Sequence, residues 1–169
     1  MQINVSQLLR ESIGATRDYR INEVVDISGN NEGSQVEGEC HLLRTQRSIL
    51  TTCSLSTDVK LTCSRCLNSF SYPLKMKFEE EYFPTVDAAT GVSLPPPEEA
   101  STFTIDEHHI LDLTEAIRQY SLLDIPMKPL CKIDCAGLCQ KCGKNLNEGN
   151  CDCVKQEIDP RWSELTRLL

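Results

Sequence analysis

No stretch of this 169-residue chain approaches the roughly 18 consecutive apolar residues that a membrane-spanning helix needs. The opening, Met1 to Gly14, carries neither a basic nor an apolar leader region, so the protein is expected to be made and kept in the cytoplasm, away from membranes. Aromatic residues are scarce at 5%, and Phe70 and Tyr72 are the only ones between Cys40 and Lys77, which argues against a platform that stacks unpaired bases. There is no nucleophile elbow, no glycine-rich phosphate loop and no H-E-x-x-H, and His41, His108 and His109 lie in no recognisable catalytic motif. Neither catalysis nor a small-molecule substrate is expected. Repeats at solenoid periods are also missing. What is present is a globular composition, 40% hydrophobic and 25% charged, enough to bury the core of one domain with an appendage.

Against these absences stand ten cysteines. In a chain without an export signal such usage points to metal ligands or redox chemistry more than to a disulfide framework. Eight of the ten fall in four close pairs: Cys63-x-x-Cys66, Cys131-x-x-x-Cys135, Cys139-x-x-Cys142 and Cys151-x-Cys153. A tetrahedral zinc ion takes two thiolates from one tight turn and two from another, and backbone N–H groups in such turns also reach the sulfurs. The glycine that follows Cys142 allows the left-handed backbone such a turn requires. Two groupings are open. Cys139 and Cys142 with Cys151 and Cys153 closes a short loop and leaves Cys63 and Cys66 to meet Cys131 and Cys135; the rival puts Cys131, Cys135, Cys139 and Cys142 on one ion. Either way, one or two closed, structural zinc sites are expected, with no open position for a substrate. An iron–sulfur cluster and a redox C-x-x-C are the competing uses, although no thioredoxin-like pattern flanks either C-x-x-C pair. Cys40 and Cys53, without close partners, are expected to pack in the core.

The net charge of −8 is unevenly spread. Phe78 to Glu107 contains eight acids and no Lys or Arg, whereas Cys40 to Lys77 holds Arg44, Arg47, Lys60, Arg65, Lys75 and Lys77 against the single acid Asp58. An acidic protein can therefore still meet a phosphate backbone through a local basic surface, and these six residues are the candidates for RNA contact.

Periodicity predicts an α+β fold, an antiparallel sheet or partial barrel with a covering helix and a C-terminal cysteine-rich zinc ribbon. A helical turn capped by Ser6 opens the chain. From Tyr19 to Phe83 the alternation of apolar and polar residues predicts four or more antiparallel strands, with turns at Gly29 to Gly33 and around Arg44 to Arg47. Residues 84–104 read as a mobile acidic loop. A helix near 112–124 should bury Leu113, Ile117, Tyr120 and Leu123, capped by Asp112 with Glu115. The expected division is 1–125 for the β domain and 126–169 for the ribbon and a terminal helix starting at Asp159 and Pro160.

Taken together, Cys63-Ser64-Arg65-Cys66-Leu67, the run from Pro129 to Asn147, Cys151-Asp152-Cys153 and the closing Asp159-Pro160-Arg161-Trp162 closely resemble the YceD family, the large ribosomal RNA subunit accumulation proteins. The resemblance extends to the Val5 to Leu9 opening. It implies a ribosome biogenesis factor whose partners are precursor ribosomal RNA or large-subunit assembly proteins. It transfers no catalytic residue.

Overall fold

The computed structural model describes residues 1–27, 33–95 and 102–153. The chain forms two compact units: Met1–Leu61 with Phe70–Met127, and Thr62–Ser69 with Lys128–Leu169. The division is discontinuous in sequence. The segment Thr62–Ser69, between two long strands, belongs to the second unit because it carries Cys63 and Cys66.

The first unit contains, in chain order, β1 (Gln2–Asn4), α1 (Ser6–Arg10), β2 (Thr16–Asp26), β3 (Gly33–Arg44), β4 (Ile49–Thr62), β5 (Ser69–Pro84), β6 (Phe103–Ile105), β7 (Ile110–Asp112) and α2 (Thr114–Asp124). The strands form one seven-stranded sheet in the order β1-β7-β6-β5-β4-β3-β2, curled as a half-barrel. Strict alternation builds it: Ile49, Thr51, Cys53, Leu55, Thr57 and Val59 of β4 are buried while the residues between them face outward. Leu74, Met76, Phe78 and Tyr82 of β5 continue the same buried layer.

The sheet is mixed rather than purely antiparallel. β6 runs parallel to β5, with Tyr82 opposite Phe103 and Pro84 opposite Ile105, a pairing that alternation within single segments does not reveal. The expected mobile loop at 84–104 is correspondingly shortened. Residues 85–95 double back through Asp87 N–H to Val92 O at 2.9 Å and Leu94 N–H to Thr85 O at 2.9 Å. The Asp87 carboxylate accepts from Thr90 N–H at 2.7 Å and Ala89 N–H at 3.0 Å, bonds that hold it below the usual carboxylate range.

Helix α2 covers the buried layer. Tyr120 stacks on Phe78 at 4.6 Å and donates to Glu80 at 2.6 Å, and Ser121 Oγ donates to Met76 Sδ at 3.3 Å. The buried stripe runs through Leu113, Ala116, Ile117 and Ser121, whereas Leu123, one residue before the helix ends at Asp124, is 76% exposed. Asp112 accepts the Thr114 N–H at 2.8 Å as foreseen, but Glu115 grips Arg118 and Gln119 instead of closing a capping box. Likewise Asn4, not Ser6, accepts the first free N–H of α1. The Arg44 to Arg47 turn is present, closed by Thr45 and Ser48. The Gly29 to Gly33 turn, apart from Gly33, and the terminal helix lie outside the described residues.

Cys40 and Cys53 are buried as expected, but they are also bonded to each other. They sit directly opposite on β3 and β4 and form a disulfide, Cα atoms 4.1 Å apart. A sequence separation of 13 conceals the pairing, which only strand register brings about. Two residues away, Gly38 (φ +151°) lies so close to β4 that a Cβ there would sit 2.2 Å from the Ser54 carbonyl oxygen.

The Tyr82 hydroxyl is buried with no hydrogen-bond partner among the described residues. An unpaired hydroxyl in a core costs about 1–3 kcal/mol. Tyr82→Phe is therefore expected to leave stability unchanged or raise it by about 1 kcal/mol in urea unfolding; a loss of that size would show that the hydroxyl is satisfied.

Candidate metal centres

The second unit has almost no apolar interior. Among its described residues the buried apolar side chains are those of Cys63, Cys66 and Cys135. What organises it is a pair of tight turns of the same design. In one, Cys63 N–H donates to Asn68 O at 2.9 Å and Leu67 N–H to Cys63 O at 3.0 Å; in the other, Cys139 N–H donates to Lys144 O at 2.8 Å and Gly143 N–H to Cys139 O at 2.9 Å. Each turn needs a left-handed residue just after its second cysteine, supplied by Leu67 (φ 59°) and by Gly143 (φ 72°).

These turns gather the sulfurs into two quartets. Cys63, Cys66, Cys131 and Cys135 form one, Cys139, Cys142, Cys151 and Cys153 the other, each with all its sulfurs within 4.8 Å of one another. Of the two groupings left open by spacing, this is the one the structure displays. Cys63 and Cys135 are 3.8 Å apart at sulfur, and Cys66 and Cys131 are 3.6 Å apart. A tetrahedral ion with metal–sulfur bonds of about 2.3 Å sets sulfur–sulfur edges of about 3.8 Å. Disulfides, at about 2.0 Å, are far shorter. The donor set therefore fits a single thiophilic ion at each quartet.

The electrostatics favour the same conclusion. The N–H of Cys66, helped by those of Cys131 and Arg65, holds the Cys63 thiol down to about 6 against its burial. The N–H groups of Cys142 and Lys141 bring Cys139 to about 6 as well. Burial, with the sulfurs of Cys66, Cys135 and Cys63, pushes Cys131 up to about 12, and the neighbouring sulfur of Cys142, with burial, does the same to Cys153. Four thiolates so close together need a cation at their centre, and binding one expels the remaining protons.

Residues outside the four pairs support the first quartet. Arg65 Nη1 donates to the Cys135 carbonyl at 3.0 Å, Ser64 N–H to Pro129 O at 2.8 Å, and Asn147 Nδ2 to Cys135 Sγ at 3.3 Å. Asn147 also accepts the Ala136 N–H at 3.0 Å. Nothing in cysteine spacing points to Asn147, since its partner lies twelve residues away in the chain. A Cβ at Gly137 (φ +74°) would come within 3.2 Å of the Arg65 carbonyl oxygen.

The six basic candidates are divided between the two units. Lys60, Lys75 and Lys77 are exposed on the outward face of β4 and β5, Arg47 is exposed in the turn before β4, and Arg44 is half-buried, its Nη1 donating to Ser48 O at 3.1 Å. Arg65 belongs to the other unit, in the first cysteine turn. Around Lys77 the outward face also carries Asp18, Glu39 and Glu79. His41 bonds Asp18 at 2.5 Å, and no histidine joins a metal-type cluster among the described residues.

The first unit is a half-barrel sheet, and the second carries two cysteine quartets, each of which could hold a metal ion. The chain matches the family model described as large ribosomal RNA subunit accumulation protein YceD over residues 51–169, and it belongs to that family. The match takes in both quartets and leaves out the Val5 to Leu9 opening. It is 27% identical over 141 residues to an uncharacterized protein of Mycobacterium tuberculosis, covering 82% of this chain and 64% of that one. It is 25% identical over 139 residues to an uncharacterized protein of Mycobacterium leprae, covering 81% of this chain and 60% of that one. A shorter similarity, 38% over 58 residues, links it to the large ribosomal RNA subunit accumulation protein YCED homolog 1, chloroplastic, of Arabidopsis thaliana, covering 34% of this chain and 18% of that one. The chain thus spans less than two thirds of the length of these relatives. No solved structure matches it. Among the described residues, no helix is long and apolar enough to cross a membrane.

Two outcomes follow for the cysteine turns. A side chain in the left-handed region costs about 1 kcal/mol, so Leu67→Gly should be neutral or stabilising in chelator competition while Gly143→Leu weakens metal retention severalfold. Stripping metal with a strong chelator should abolish hydrogen-exchange protection in residues 128–153 while β2 to β5 keep theirs; protection that persists throughout would show that the module folds without an ion.

Proposed function

We propose that the protein supports accumulation of large-subunit ribosomal RNA by non-catalytic binding of precursor RNA, with zinc as a structural ion in each quartet. The observation that carries this reading is the family match over residues 51–169, which encloses all eight quartet cysteines together with Lys60, Arg65, Lys75 and Lys77. Zinc suits closed all-thiolate tetrahedra without redox demands. Arg47, Lys60, Lys75 and Lys77 are the residues assigned to phosphate, interactions that position an RNA without reading its sequence. Arg44 contributes from the edge of this surface, and Arg65 acts chiefly by holding the Cys135 carbonyl.

A second reading is favoured by one feature: Asp18, Glu39 and Glu79 lie beside Lys77 on the same face. Mixed signs suit a protein partner in large-subunit assembly as well as RNA. The readings separate experimentally. The triple variant Arg47→Glu, Lys75→Glu, Lys77→Glu should bind large-subunit ribosomal RNA fragments about tenfold or more weakly at low salt. The slope of log K against log salt should fall by about two to three, at roughly 0.7–0.9 for each phosphate that is no longer neutralised, with thermal stability unchanged. Unaltered RNA binding would show that this surface does not meet RNA. Association with pre-ribosomal particles that survives nuclease and high salt would identify the partner as protein.

A further inference from the structure

The two quartets differ in how their sulfurs meet solvent. Cys63, Cys66 and Cys135 are buried and Cys131 is partly so, whereas no cysteine of the second quartet is buried and Cys142 is exposed. The first quartet is further shielded at Cys135, whose sulfur accepts from Asn147 at 3.3 Å and whose carbonyl is held by Arg65 at 3.0 Å. They differ in connectivity too. The first quartet joins residues 63–66 to 131–135, but the second closes on itself within 139–153, its intervening loop fastened by Lys144 Nζ donating to Asn150 O at 2.8 Å. Oxidation of cysteine follows thiolate character and access. A bound cation keeps every sulfur of both quartets as thiolate, which leaves access as the difference between them.

We propose that the quartet of Cys139, Cys142, Cys151 and Cys153 is an oxidant-responsive metal site, discharging its ion to a hydroperoxide while the first quartet stays loaded. This rests on the reading that both quartets hold zinc. The exposed Cys142 thiolate attacks hydrogen peroxide: a sulfur–oxygen bond forms, the oxygen–oxygen bond breaks, hydroxide leaves, and Cys142 becomes a sulfenic acid. A second thiolate of the quartet, within 4.8 Å, attacks that sulfur, forming a disulfide and expelling another hydroxide. Two thiolates have given up two electrons, the peroxide has accepted them, and the zinc departs still divalent because the disulfide ligates it poorly. Only the short loop within 139–153 is untied. The segment remains anchored through Cys131 and Cys135, so the discharge is local and reversible by a dithiol reductant and fresh zinc.

The test uses the full chain loaded with zinc, its content fixed beforehand by elemental analysis. Hydrogen peroxide is added, released zinc is read with a chromogenic chelator, and oxidised cysteines are mapped by mass spectrometry. The expected result is one zinc lost about tenfold or more faster than the other, a new disulfide, beyond that of Cys40 and Cys53, confined to 139–153, and Cys63, Cys66, Cys131 and Cys135 still unoxidised. Cys142→His, which keeps a zinc ligand but removes the reactive sulfur, should hold two zincs and lose the fast phase. Two zincs released in a single phase, earlier oxidation of the first quartet, or a fast phase that survives in Cys142→His would each overturn the proposal. A chain that takes up no zinc before peroxide is added would overturn the metal reading itself, and this proposal with it.

Discussion

Four sulfurs drawn within 4.8 Å of one another, with three of them buried, are held together at a cost that a cation offsets. The rest of the second unit depends on that attraction. Among its described residues no aliphatic or aromatic side chain is buried, so burial of apolar surface cannot supply the free energy that orders it. An ion held in the first quartet would take the place of a core. Its ligands would come from two separate stretches of chain, and Thr62–Ser69 belongs to one compact unit with Lys128–Leu169.

The first unit follows different physics. Its stability comes from one continuous apolar layer, from Ile3 and Leu8 through Leu42, Ile49, Leu55 and Met76 to Leu111 and Ile117. The outward face of the same strands is free to vary in charge, because alternation separates it from the core. One fold thus combines a conventional hydrophobic scaffold, a polar sheet surface bearing lysines and acids, and a module whose order is set by thiolate chemistry.

Legibility in the sequence tracked how local each feature is. The cysteine pairs were readable because each turn is closed within six residues by its own backbone, and β4 and α2 were readable from periods of two and about 3.6. Features that depend on register were not. Cys40 meets Cys53 only because Gly38 to Arg44 pairs with Ile49 to Leu55 in one particular alignment, and β6 joins β5 only after a long crossover. Arg65 read as a cation for phosphate, yet its side chain also bonds the carbonyl of Cys135, seventy residues on. Leu67 follows the cysteine turn in the position Gly143 fills in its counterpart, a tension visible only once the backbone angle is known.

Each quartet is expected to bind one tetrahedral ion. Titrating the metal-free, reduced chain with cobalt(II) tests it most directly, because a four-thiolate tetrahedral cobalt site gives intense sulfur-to-metal charge-transfer bands and visible ligand-field bands. Both sets of bands are expected to grow together and saturate at two equivalents per chain, and zinc should then erase them. Saturation at one equivalent or none, or bands of octahedral character, would contradict the claim.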